Sequence, residues 1–214
     1  SGGADLFHGV SLLAGAAALM AVGVSAQDMN PIYTAMPSLL ITPDARAGGM
    51  GDAGVAPAPD IYSQHWNPAK YAFAVSKGGF GLSYTPWLRE IVNDIALMEA
   101  IGYYKIGSEN NQAISASIRY FKVGDVQLTD WNNMDMGRVS PYEMAVDVAY
   151  SRKLTNTFSG SIAFRYIRAD YSGNDDQGSP GSTFAADISG YNESYINLGQ
   201  SESLLSFGFN ISNI

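Results

Sequence analysis

Residues 113–121 read Ala113-Ile114-Ser115-Ala116-Ser117-Ile118-Arg119-Tyr120-Phe121, and residues 142–151 read Tyr142-Glu143-Met144-Ala145-Val146-Asp147-Val148-Ala149-Tyr150-Ser151. In both, an oily residue recurs at every second position with small or polar residues between. Successive side chains of a strand point to opposite faces, so this period of two gives one dry face and one polar face. The pattern recurs in Gly79–Thr85 with Phe80, Leu82 and Tyr84, and in Ser159–Arg168 with Ile162, Phe164 and Tyr166. It recurs again in Phe184–Tyr191, where Asp187 and Ser189 take the polar face, and in Ser203–Ile214 with Leu205, Phe207, Phe209 and Ile211. Asp94–Lys105 is a weaker seventh segment, because both of its faces are apolar or small.

A soluble sandwich and a membrane barrel both alternate, and three features separate them. The segments run about 9–11 residues, the length a tilted strand needs to cross a bilayer. Connections alternate short (106–112, 152–157) and long (122–141, 169–183), as in outer-membrane barrels with short periplasmic turns and long outer loops. The charges are sorted: Arg119 and Arg165, the mid-strand cations, share parity with the Ser and Ala face, while Lys105, Lys122, Arg152, Lys153 and Arg168 stand at strand ends and Arg89 and Arg138 in loops. An arginine on the lipid face at mid-depth costs about 2–4 kcal/mol, so a barrel requires this sorting. Tyr84, Trp87, Tyr103, Tyr104, Tyr120, Phe121, Tyr142, Tyr150, Phe158 and Tyr166 gather at strand ends and fit interfacial girdles. The fold class expected is all-β, a transmembrane antiparallel β-barrel. Seven strands is an odd count, and an open sheet edge is not tolerated in lipid. The sequence is therefore expected to be the N-terminal part of a longer barrel, with about half of it present.

Composition supports this reading. Aromatics make up 12% of the 214 residues, with 13 Tyr, and glycine is frequent at 23, a balance that leans toward β structure. The mean hydropathy of -0.03 fits strands of which one face is polar. Zero cysteines exclude a disulfide scaffold, thiol catalysis and Cys-ligated metals, and only His8 and His65 are available as imidazole ligands. A net charge of -8 argues against binding nucleic acid through its phosphates. No cofactor is implied.

Three segments are expected. Residues 1–26 read as a signal peptide whose front is missing: Val10–Val24 is apolar and leads to small residues at Val24 and Ala26, but no Lys or Arg precedes Arg46. Residues 27–77 hold six of the nine prolines, too many for a strand, and read as a plug of short helical turns and compact loops. Asn67-Pro68-Ala69-Lys70 looks like a turn entering a short helix with proline at its first position. Residues 78–214 are the barrel strands.

The candidate sites lie in the plug and on the polar strand face. The run Ala45-Arg46-Ala47-Gly48-Gly49-Met50-Gly51-Asp52-Ala53-Gly54 lacks the Lys-Ser/Thr end of a phosphate loop and follows no strand. It reads as small residues letting a plug chain thread closely along barrel walls. His65, with Ser63 and Asp60 nearby, raises an esterase reading, but no G-x-S-x-G elbow exists, and His65 beside Trp66 reads as a packed plug residue. Arg119, Glu143, Asp147, Arg165 and Asp187 share one face. Two readings stay open for them: a binding or conduction lining, or a structural network in which they pair with each other and with the plug. Trp131–Asp135 reads as an outer loop with an exposed aromatic.

The string Pro43-Asp44-Ala45-Arg46-Ala47-Gly48-Gly49-Met50-Gly51-Asp52-Ala53-Gly54-Val55-Ala56, followed by Trp66-Asn67-Pro68-Ala69-Lys70, resembles the N-terminal hatch of the PorV (LptO) family. Thr85-Pro86-Trp87-Leu88-Arg89, Arg119-Tyr120-Phe121 and Asn210-Ile211-Ser212-Asn213-Ile214 are similar to that family too. The resemblance marks Asp44, Arg46, Gly48, Gly49, Gly51, Asp52, Asn67 and Pro68 as a candidate plug motif. It implies a FadL-like outer-membrane barrel of about fourteen strands with an N-terminal plug. It further implies a non-catalytic role in type IX secretion: receiving cargo by its C-terminal signal domain and carrying it from the translocon to an attachment complex with a sortase-like protein. The expected surroundings are cargo, those complexes and outer-membrane lipid. The alternative is a FadL-type transporter of hydrophobic small molecules, which needs an apolar lumen pocket, whereas the expected lumen face is Ser, Ala, Asp, Glu and Arg.

Overall fold

The computed structural model describes residues 36–86, 94–107, 109–129, 134–171, 180–198 and 201–214. The expected signal peptide, Trp87, Arg89 and Trp131–Asn133 lie outside these. Among the described residues nine strands form: β1 (Gly78–Pro86), β2 (Ala96–Ile106), β3 (Gln112–Lys122), β4 (Val126–Thr129), β5 (Asp135–Val139), β6 (Tyr142–Lys153), β7 (Phe158–Asp170), β8 (Gly181–Leu198) and β9 (Ser201–Ile211). Seven make one antiparallel sheet in the order β1-β2-β3-β6-β7-β8-β9, curled as half of a barrel, and β4 and β5 pair apart from it. Among the described residues no helix is long and apolar enough to cross a membrane.

Register aligns like with like across the sheet. Tyr104, Ile114, Tyr150, Ile162, Ile188 and Ile211 are successive partners on the outer face. The outer face stays open, with Phe164 at 67% and Ile118 at 53% exposed. Their strand neighbours Ala163 and Arg119, pointing inward, are each 3% exposed. Burying such an oily face in water-free surroundings is what the hydrophobic effect demands, and a bilayer supplies it.

The concave side holds the segment from Met36 to Ala74. It contains a 3-10 turn at Pro37–Leu40, short helices at Ala45–Gly49 and Ser63–Trp66, and a 3-10 helix at Pro68–Phe73. The last begins as expected: Asn67 caps it with its side-chain oxygen, accepting from the Ala69 N–H, and Pro68 takes the first position, where no N–H is needed. Every residue of Pro68–Phe73 is buried. Tyr71 stacks on Tyr103 at 4.5 Å, Phe73 meets Tyr191 edge-on at 5.6 Å, and the Lys153 ammonium sits 4.2 Å from the Phe73 ring. The segment runs along the concave face from the end with long connections, where the Ser38 N–H donates to Glu143, to the short-turn end, where Lys105 donates to the Ala74 carbonyl.

Several expectations are corrected. The connection 122–141 is not plain loop, since β4 and β5 form a hairpin inside it. The 184–191 strand is longer at both ends, because β8 pairs with β9 as far as Leu198. Tyr103 and Phe121 do not join an outer girdle: Tyr103 stacks on the plug, and Phe121 points inward at 9% exposure. Parity rather than position along the strand fixes the face. Lys105 stands at a strand end as expected, and there it is buried against Ala74.

Candidate functional site

Register creates cross-strand charge pairs on the concave face of the wall. Glu99 lies opposite Arg119, and Asp147 opposite Arg165. Arg119 donates to Glu99 at 3.3 Å. Arg165 pairs with Asp147 and reaches Asp187 at 3.0 Å. All five are buried, so each charge requires its partner. Glu99 is the member the sequence pattern missed, because the small and apolar residues of β2 hid which of its faces is lumenal.

Arg119 also holds the plug. One terminal nitrogen donates to the carbonyls of Ser38, Leu39 and Ile41 at 3.2, 3.4 and 3.3 Å. The other lies 2.7 Å from His65 Nδ1. A guanidinium only donates, so Nδ1 accepts and the imidazole is neutral with its proton on Nε2. Burial, and then the positive charges of Arg119 and Arg165, hold the His65 pKa well below its usual value of 6.5. His65 packs edge-on against Trp66 at 4.7 Å. Its ring faces an arginine, while Ser63 bonds Asp60 instead, so no Ser-His pair forms here.

At the long-connection end Glu143 joins two partners. It accepts from the Ser38 N–H at 3.2 Å and from the Tyr171 hydroxyl. Asp187 accepts from the Asn213 N–H at 2.8 Å, and Asn213 Oδ1 accepts from Arg165 at 3.1 Å. Thus Arg119, Glu143, Asp147, Arg165 and Asp187 do share the concave face. Arg119 and Glu143 touch the plug, whereas Asp147, Arg165 and Asp187 pair along the wall. Between wall and plug lies a cavity of about 280 Å³, lined among others by Leu39, His65, Glu99, Arg119, Asp147 and Arg165.

The plug motif divides in two. Asp44 caps the helix at Ala45–Gly49, accepting from Ala47 N–H at 2.8 Å and Trp66 Nε1–H at 3.2 Å. Asn67, fully buried, donates to the carbonyls of Val55 and Gly190 at 3.2 and 2.9 Å, tying plug to wall. Pro68 is buried beside it. Arg46 makes an exposed pair with Asp60 at 3.0 Å. Close packing does not explain the glycines at 48, 49 and 51: a Cβ on Gly49 or Gly51 would meet nothing within 4 Å, and one on Gly48 only Thr42 at 3.8 Å. Gly51 and Asp52 instead take positive φ of 69° and 63° to reverse the chain, and Asp52 accepts from the Thr42 hydroxyl. Close approaches between plug residues and glycines include Gly54, where a Cβ would stand 2.2 Å from the Trp66 ring, Gly208, where it would stand 2.5 Å from the Val55 carbonyl, and Gly81, where it would stand 2.9 Å from the Ile61 side chain.

Lys70, with no exposed surface, donates to the Gly54 carbonyl at 2.7 Å, and burial lowers its pKa to about 8. Burial pushes the Tyr71 hydroxyl upward. That hydroxyl accepts from the Gln64 N–H and donates to the Ile61 carbonyl. Among the described residues no group of three or more Asp, Glu or His converges to hold a metal ion.

No curated protein matches the chain. The sequence model of one family, described as "Type IX secretion system protein PorV", matches residues 24–214.

Proposed function

The chain belongs to the PorV family of type IX secretion system proteins, and from that premise we propose that it serves in the bacterial outer membrane as a cargo carrier. It receives secreted proteins by their C-terminal signal domains and passes them from the translocon to an attachment complex with a sortase-like member. Capture falls to the long connections and the barrel mouth, and it needs no covalent chemistry. Residues 1–26 act as the export signal, residues 27–77 as the plug, and the strands from Gly78 as the barrel wall. Arg119, Glu143, Asp147, Arg165 and Asp187 line the lumen, and the Asp44–Asp52 run with Asn67 and Pro68 is the plug motif.

The observation that carries this reading is the family match over residues 24–214. The outward rows of Ile, Phe and Tyr support a place in lipid. The rival, transport of hydrophobic small molecules, needs an oily lumen pocket. The wall–plug cavity instead sets the charged Glu99, Arg119, Asp147 and Arg165 beside Leu39, Leu40 and Trp66, a mixed lining. In a strain lacking the protein, cargo is expected to remain unattached at the cell surface, and the full-length protein is expected to co-purify with cargo. Recovery of the protein alone, with secretion intact in its absence, refutes the carrier reading, and lipid bound inside the barrel supports the rival.

A further inference from the structure

On the outer face of the wall Gly102 lies between its register partners, Phe80 of β1 and Ala116 of β3. Glycine inside a strand weakens it, and marks a bulge or a place where something approaches from outside. β2 pairs with both neighbours without a shift in register, so no bulge is present. The φ of Gly102 is not positive, and an added Cβ would meet nothing nearer than 3.5 Å. Neither its backbone nor its neighbours therefore require glycine. What glycine leaves is room. Gly102, Ala100 and Ala116 are the small members lining an outward hollow of about 690 Å³. Phe80, Tyr104, Ile114 and Ile118 are its large members, 46–72% exposed. Among the described residues no charged side chain lines it.

A cation stands at the short-turn end of this hollow. Lys77, just before β1, is exposed, and its ammonium lies 5.6 Å from the centre of the Tyr104 ring, which places it on the outer face. Among the described residues it pairs with no carboxylate. Tyrosines of this kind mark the boundary between hydrocarbon and headgroups. An oily hollow on the hydrocarbon side and an unpaired ammonium at the boundary match an acyl chain joined to a phosphate. We propose that this hollow binds one anionic phospholipid of the leaflet at the short-turn end. Its acyl chain lies over Gly102, Ala100 and Ala116, and its phosphate accepts from the Lys77 ammonium. The proposal rests on the outer-membrane reading. It concerns the outside of the wall, away from the lumen and from the long connections given to cargo.

The test titrates phosphatidylglycerol into full-length protein in detergent micelles and counts retained lipid by native mass spectrometry. One retained lipid is expected for the wild type. Gly102→Leu fills the hollow from β2 and Ala116→Leu fills it from β3, and each is expected to weaken retention about tenfold. Lys77→Gln is expected to weaken it about fivefold. Arg152 is exposed at the same end, three strands along the sheet from β1. Arg152→Gln lowers the positive potential there without touching the hollow, and is expected to leave retention unchanged. Glycerol phosphate, the head without its chains, is expected not to compete. No retained lipid in the wild type, or full retention by both leucine variants, overturns the site. So does an equal loss in Arg152→Gln and Lys77→Gln, which assigns the lipid to general attraction, or displacement by glycerol phosphate, which assigns it to the phosphate alone. A full-length protein that stays dissolved as a monomer without detergent refutes the outer-membrane reading and the site together, whereas a micelle-bound barrel that retains no lipid refutes the site alone.

Discussion

The wall and the plug satisfy their backbones by different means. In the sheet, each strand's N–H and C=O groups bond neighbouring strands, which frees the side chains to be oily on one face. The plug has only short turns, and its carbonyls turn to side chains. The wall's Arg119 takes those of Ser38, Leu39 and Ile41, its Lys105 takes Ala74, its Ser159 takes Ala69 and its Ser83 takes Pro43, while within the plug Lys70 takes Gly54 and Asn67 takes Val55. The inward polar residues of the wall thus supply much of the secondary structure the plug lacks.

The sharpest break in this contrast is Arg119→Met. It leaves Glu99 buried without its cation and three plug carbonyls without a donor, an expected loss of about 3–5 kcal/mol. Protease sensitivity of the plug in the intact membrane protein is expected to rise sharply. Arg119→Lys recovers only part, because an ammonium cannot span the same set of acceptors. The wall breaks from its other face: Phe164→Arg places a charge in lipid at an expected cost of about 2–4 kcal/mol, read from unfolding in denaturant. The same measurement on Gly208→Ala, which forces a methyl against the Val55 carbonyl, is expected to give about 1–3 kcal/mol.

Acid sharpens the comparison, because His65 belongs to the plug and its partner to the wall. Its folded-state pKa lies below the unfolded value of 6.5. The contribution of His65 to stability is therefore complete above that pH and is lost as pH falls toward the folded value, by up to about 1.4 kcal/mol per pH unit. Plug release below pH 6.5 is expected in the wild type and a flatter profile in His65→Gln, followed by plug proteolysis across pH. The smallest effect belongs to Arg46→Ala. Its pair with Asp60 is exposed, and a change below about 1 kcal/mol is expected.

The wall was legible because a period of two is a local property. Phe80, Ile118, Val148 and Phe164 declare their face without knowledge of any neighbour, and Asn67-Pro68 declares a helix start. The hairpin Val126–Thr129 with Asp135–Val139 was not legible, because such short strands carry too few alternations. The extension of β8 past Tyr191 was hidden by the polar run Asn192-Glu193-Ser194. At the site, the shared face of Arg119, Glu143, Asp147, Arg165 and Asp187 followed from parity, but their partners did not.

In the clearly alternating strands the sequence by itself determined which side chains face outward and which inward, since that alternation is written in consecutive residues; in β2, where both faces are apolar or small, it did not. Only the tertiary structure decided that Arg119 holds Glu99, His65 and three plug carbonyls at once, and that Asn67 ties Val55 to Gly190. Those contacts join residues as much as 123 positions apart, and their geometry depends on register and on the path of the plug, which no local pattern encodes.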